Sequence, residues 1–210
     1  MSTLYDTIAE NTGFQVPELF RRMTEDGVTD YTKNRDQSSV KPPALMMVSS
    51  HVEWWPLEDT VNWDAPDYYA LAFVPFAANG AGDLWAWYPA SGTEEVVFVP
   101  HDENAAQHYA PHFEGFLFRH IVQGLAEIYE HAGQTYTPEQ RVQDAKANVN
   151  TLAPYLRPAW VSLLNELTSR PLEFDKAWRC FGFLKRKDAK EIVERELAMS
   201  NLGEEFPYQT

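Results

Sequence analysis

Phe73 to Glu103 reads FVPFAANGAGDLWAWYPASGTEEVVFVPHDE, and its alternation of apolar runs with turn residues predicts a β-meander. Two apolar runs, 69–76 and 84–88, are joined by Ala78-Asn79-Gly80-Ala81-Gly82-Asp83, whose glycines supply the positive φ of a tight reversal. After a second turn at Pro89-Ala90-Ser91-Gly92, residues 95–99 form a β-branched and aromatic run, stopped by Pro100, which has no N–H to give to a ladder. The middle strand sends Leu84, Ala86 and Tyr88 to one face and Trp85 and Trp87 to the other. Apolar residues on both faces imply that both are at least partly covered.

Outward from the meander, Leu4, Ile8 and Ala9 recur at helical spacing, and Gly13 closes that helix. Pro17, as a first helical residue, opens a second short helix with Leu19, Phe20 and Met23 on its apolar side. Residues 28–43 fit neither period and read as a loop; 44–49 (ALMMVS) reads as an edge strand. Next comes HVEWWPLEDTVNWDAPDYY, where Trp54, Trp55 and Trp63 stand among acids and Pro56 and Pro66 forbid one continuous helix. Beyond the meander, Phe113, Phe116, Leu117, Ile121, Leu125 and Ile128 form the apolar stripe of a helix laid on the sheet. Thr137 and Pro138 open a helix over 138–150, a further one covers 158–167, and a last one covers 188–199 with Asp188 and Glu191 at capping-box spacing. The expected class is α+β: an antiparallel meander sheet with N-terminal and flanking helices, plus a mainly helical C-terminal extension. A soft boundary at 131–137 separates a domain of 1–130 from an extension of 131–210.

The order of four features resembles the SUKH superfamily: the start LYDTIAENTGFQVPELFRRM, the hairpin FVPFAANGAGDLWAW, the strand VVFVPHD and the helix FEGFLFRHIVQGL. The resemblance covers 4–125. That superfamily includes the yeast Smi/Knr-type cell-wall regulators and many bacterial immunity proteins. It implies a protein that binds another protein, in the immunity case a toxin domain, often a nuclease. The chain departs from the pattern in the tryptophan- and acid-rich stretch 51–67 and after about residue 130.

The chain has 210 residues, enough for a substantial core, and 44% are hydrophobic. A single cysteine, Cys180, and a polar start favour a cytoplasmic protein, and no apolar run has the length of a membrane span. The charge is −14, from 31 acids and 17 bases, which argues against a nucleic-acid partner. Its distribution is uneven: no lysine or arginine falls within 42–118, where eleven acids lie, while bases gather near Lys185-Arg186-Lys187 and Lys190. Tryptophan and tyrosine with an acidic rim suit a basic protein partner. The expected interface therefore comprises Glu58, Asp59, Asp64 and Asp67 with Trp55, Trp63 and Tyr68, and in second rank Glu94, Glu95, Asp102 and Glu103. Tryptophans such as Trp54, Trp55 and Trp63 are more usually core residues, and the binding surface is the sharper reading.

Catalytic signals are weak. His101, Asp102, His108 and His112 are the best metal-like set, on the reading that imidazoles four apart on a helix share an ion, but Pro111 spoils regular helix there. His51 and Glu53 would share a strand face. Cys180 lies in AWRCFGF, an apolar setting that raises a thiol pKa and makes it inert. Asn79-Gly80-Ala81-Gly82 lacks the later glycine and following helix of a dinucleotide fingerprint. The reading is a non-catalytic protein-binding module without cofactor or metal, an immunity protein for a basic toxin. A regulatory or scaffold protein of the same fold is the alternative, and an unrecognised hydrolase the third.

Overall fold

The computed structural model describes residues 3–29, 52–64, 72–128 and 137–208. Their contacts cluster into two units, one combining 3–29, 52–64, 72–116 and 199–208, the other 117–128 and 137–198. In chain order the elements are α1 (Leu4–Thr12), α2 (Glu18–Glu25), β1 (Glu53–Trp54), α3 (Leu57–Val61), β2 (Val74–Ala78), β3 (Leu84–Trp87), β4 (Val96–Val99) and β5 (Ala105–Ala110). There follow α4 (Phe113–Ala126), α5 (Pro138–Leu152), α6 (Pro158–Thr168), β6 (Glu173–Asp175), β7 (Cys180–Gly182), α7 (Arg186–Leu197) and β8 (Glu205–Pro207). The class is α+β.

The first unit is built on a six-stranded antiparallel sheet of order β1-β2-β3-β4-β5-β8. Its centre is the expected meander: Leu84 lies opposite Ala78 on one side and Val99 on the other. The period of two places Trp85 and Trp87 on the face lined by helical residues, where Phe20, Phe76, Trp87 and Phe113 meet edge to face or tilted at 4.5–6.1 Å. The opposite face carries Phe73, Leu84, Ala86, Val97, Val99, Ala106 and Tyr208. Truncation to alanine of a ring with no exposure, such as Phe76, would cost about 3–5 kcal/mol.

Several expectations shift. The first meander strand begins at Val74 and runs on to Ala78; the expected residues 69–71 lie outside the described residues. Pro17 is the N-cap of α2 rather than its first residue, because its φ of −55° comes with an extended ψ of 139°. Gly82 takes the positive φ (97°) foreseen for the turn, but Gly80 does not. Strands β5 and β8 went unforeseen: polar residues in β5 blur its alternation, and β8 has only three residues. The expected strand at 44–49, most of the loop at 28–43 and all of the 131–137 boundary except Thr137 lie outside the described residues.

In the second unit Thr137 is the N-cap of α5, as expected, and the structure adds a reciprocal capping box with Gln140. Trp160 of α6 stacks on Phe118 at 4.3 Å and donates its indole N–H to Glu196 Oε2 at 3.1 Å, tying α6 to α7. Helix α7 starts at Arg186, two residues before the expected Asp188; Lys185 is its N-cap, without a side-chain cap, and Asp188 lies in the first turn, where its charge suits the helix dipole. No helix among the described residues is long and apolar enough to cross a membrane.

Candidate functional site

The acid- and tryptophan-rich segment lies at the first edge of the six-stranded sheet. Strand β1 pairs with β2 through Glu53 opposite Ala78 and Trp54 opposite Ala77, and Trp55 N donates to Phe76 O at 3.0 Å. Alternation along this short strand separates the tryptophans. Trp54 is buried with Phe20, Phe76, Phe113 and Phe116, whereas Trp55 is half-buried and packs on the other side, against the Phe73–Leu84–Val99 cluster. Helix α3 then carries Glu58 and Asp59 outward and is pinned by Thr60, whose hydroxyl donates to Pro75 O at 2.9 Å. Trp63, also half-buried, returns to the same apolar cluster as Trp55, and Asp64 beside it is exposed. One thirteen-residue stretch, 52–64, thus supplies two aromatic side chains partly open to solvent and three exposed carboxylates. Asp67 and Tyr68 lie outside the described residues.

The acids of second rank separate. Glu94, Asp102 and Glu103 are exposed. Glu95 is not available at the surface: it is 8% exposed, and its Oε1 is bound to His108 Nδ1. The His108 ring lies 4.6 Å from Phe206, which in turn stacks on Tyr88 at 5.2 Å. A buried carboxylate needs a partner, and His108 gives it one. Nothing in the bare sequence signals this pair, because Glu95, just before β4, meets His108 of β5 beside an irregularity in the register of the two strands.

The turn between β2 and β3 holds a tighter network. Asn79 Oδ1 accepts from Ala81 N and Asp83 N at 2.9 and 3.0 Å, and its amide donates to Asp83 Oδ2 at 2.7 Å. Asp83 Oδ1 accepts from His101 N at 3.0 Å and lies 2.7 Å from His101 Nδ1. Partial burial pushes the Asp83 carboxyl up, but the hydrogen bonds from His101 and Asn79 outweigh it and hold the group below its ordinary 3.8. Its hydrogen bond to Asp83 raises His101 above 6.5, with Asp102 adding to the effect.

Asp83, His101 and Asp102 bring possible ligand atoms within 4.8 Å of one another. This is not the expected histidine set. His108 is on a strand and pairs with Glu95; His112 precedes α4 and accepts from Gly115 N at 2.9 Å, so no helix carries the two imidazoles together. Asp83 Oδ1 already receives two bonds from His101, so binding an ion would compete with the contacts that hold the turn. Cys180 is buried, and burial raises its thiol pKa, with Arg186 pulling the other way. Such a thiol is a poor nucleophile.

The arrangement at 52–64 sets three exposed carboxylates beside two half-buried indoles, side chains suited to meeting cations and to further desolvation on contact. No family model, no curated protein and no solved structure matches this chain.

Proposed function

We propose that the chain is a non-catalytic protein-binding module of the cytoplasm, whose acid-rich surface holds a basic protein partner. The role we assign is that of an immunity protein on a cognate bacterial toxin domain such as a nuclease. One observation carries the reading: in 52–64, half-buried Trp55 and Trp63 share one apolar cluster while Glu58, Asp59 and Asp64 stand exposed in the same stretch. The absence of lysine and arginine from 42–118 leaves these acids without a nearby base in sequence. A nuclease presents cations to phosphate, so carboxylates that take the place of its substrate gain complementarity. The resemblance of 4–125 to the SUKH superfamily supports the same class of partner. Coulomb attraction would chiefly speed association, and a desolvated indole would slow release.

The test is isolation of a partner by pull-down, followed by stopped-flow association at low and high salt. We expect the rate constant to fall about tenfold or more at high salt, and to fall similarly for Glu58→Gln/Asp59→Asn/Asp64→Asn. Rates indifferent to both changes would remove the acidic-surface reading. A toxin encoded beside the chain and blocked by it would establish the immunity role. Several unrelated partners of weak affinity would favour a regulatory or scaffold role.

A further inference from the structure

Among the described residues, the large apolar side chains open to solvent are Phe174 and Trp178, 48% and 56% exposed, and both belong to the β6–β7 hairpin of the second unit. They are held, not loose. Asp175 Oδ1 accepts from Ala177 N and Trp178 N at 2.8 and 3.2 Å, fixing the turn, and Arg179 completes it at a φ of 54°. The Arg186 guanidinium lies 3.8 Å from the centre of the Trp178 ring and pairs with Glu127 at 2.8 Å; Phe174 leans on Phe181 at 4.9 Å. Preordered aromatics lose little entropy on binding.

The backbone of β6 faces outward. Ile128 and Phe181 exchange N–H···O=C bonds of 2.7 and 3.0 Å, so the polar groups of Phe181 point away from β6. Phe174 is the residue opposite Phe181. In an antiparallel ladder such a pair is not hydrogen-bonded, and the N–H and C=O of Phe174 therefore project from the open edge of β6. All three residues of that strand are exposed, and among the described residues its sheet has two strands.

Beside the hairpin is an open cavity of about 480 Å³, with Phe183 and Leu184 in its wall and Arg170, Lys176, Lys185 and Arg186 around it. Glu173, Asp175 and Asp188 also line it, although Asp175 is committed to the turn. Over 170–190 the sequence has seven bases and three acids; Arg170, Arg186, Lys187 and Lys190 pair with Glu166, Glu127, Glu191 and Glu194, which leaves Lys176, Arg179 and Lys185 as the cations of the hairpin and its rim. Lys176 and Lys185 are exposed, cations of opposite sign to the carboxylates of 52–64.

We propose that the hairpin is a second docking surface, which takes an extended acidic peptide of a partner protein by strand addition along β6. The main-chain groups of Phe174 give the peptide its register, Phe174 and Trp178 bury its apolar residues, and the surrounding bases select its carboxylates. A peptide fits better than a nucleic acid, because the N–H and C=O that Phe174 projects pair with a peptide main chain and not with a phosphodiester one. The proposal stands independently of the acidic-surface reading, since the two surfaces lie in different units.

The experiment uses the full chain and fluorescein-labelled peptides that alternate glutamate with valine, read by anisotropy and by amide shifts. We expect binding that weakens with salt, perturbs the Phe174 amide, and falls about tenfold or more for Trp178→Ala and for Lys176→Glu/Lys185→Glu. Phe174→Pro removes an N–H that β7 does not use, so it should bind at least about tenfold more weakly than Phe174→Ala at an unchanged far-ultraviolet spectrum. Equal binding of a lysine–valine peptide, shifts confined to the first unit, or absence of binding would overturn the proposal. Tighter binding to a single-stranded oligonucleotide or to anionic vesicles would also overturn it, as would salt-sensitive self-association in sedimentation that Trp178→Ala abolishes.

Discussion

Gly82 sits at a φ of 97°, a conformation that β-branched side chains resist, while Gly80 two residues earlier does not lie at positive φ. A Cβ at Gly82 would come no closer than 3.9 Å to His101, and one at Gly80 no closer than 4.0 Å to Glu53, so space limits neither. Backbone strain alone separates them. Gly82→Val is expected to cost about 1–3 kcal/mol and to lower Tm, and Gly80→Val to leave it nearly unchanged; thermal melts of both variants decide this. A pH prediction attaches to the neighbouring pair. His101, raised above 6.5 by Asp83, contributes stability that is complete below 6.5 and lost as pH rises through its folded pKa. Asp83, held below 3.8, contributes stability present above 3.8 and lost as pH falls through its folded value. Titration of His101 by NMR should therefore give a pKa above 6.5 in the native chain and a lower one in Asp83→Asn. An unchanged His101 titration in that variant would break the link.

At the scale of elements, the six-stranded sheet is completed from far along the chain. Strand β8 pairs with β5 through Ala106 opposite Phe206, and Tyr208 just beyond it is fully buried. Its hydroxyl lies 2.8 and 2.7 Å from the carbonyls of Pro100 and Glu103 and shares its one proton between them. The C-terminal strand thus fixes the loop that presents His101 and Asp102. Tyr208→Phe should cost about 1 kcal/mol through the lost hydrogen bond, and Tyr208→Ala about 3–5 kcal/mol through the lost ring. Urea denaturation followed by tryptophan fluorescence reads both, and equal losses for the two variants would refute the division. The helices were more legible than these strands. Thr137-Pro138 and Gly13 are local start and stop signals that act within one turn, whereas β5 and β8 are short and gain their stability from pairing across about a hundred residues.

Over the whole molecule, charge is divided between stretches rather than spread. The run without bases carries the exposed acids of 52–64, and Arg170, Lys176, Lys185 and Arg186 line the cavity beside the β6–β7 hairpin. Trp55 and Trp63, half-buried on an apolar cluster, would anchor a complex that Glu58, Asp59 and Asp64 attract. Once a basic partner is in hand, Trp55→Ala should raise the dissociation rate about tenfold or more and leave the association rate nearly unchanged, the reverse of the acid-neutralised triple variant. Surface-plasmon resonance separates the two rates, and a Trp55→Ala effect confined to association would remove the anchor.

By itself the sequence determined the α+β class, the meander, the start of the helix at Phe113 and the charge segregation, because period, turn chemistry and composition act over a few residues at a time. It also separated Leu84 and Ala86 from Trp85 and Trp87, since strand alternation needs no knowledge of the partner strand. Only the tertiary structure decided that Glu95 turns inward to His108, that Trp54 is core while Trp55 is half-open, and that Asp83 clasps His101. Each depends on which strands meet and in what register, down to the irregularities between β4 and β5. A one-residue shift in register exchanges the two faces of a strand, so such contacts are properties of the pairing and not of either segment alone.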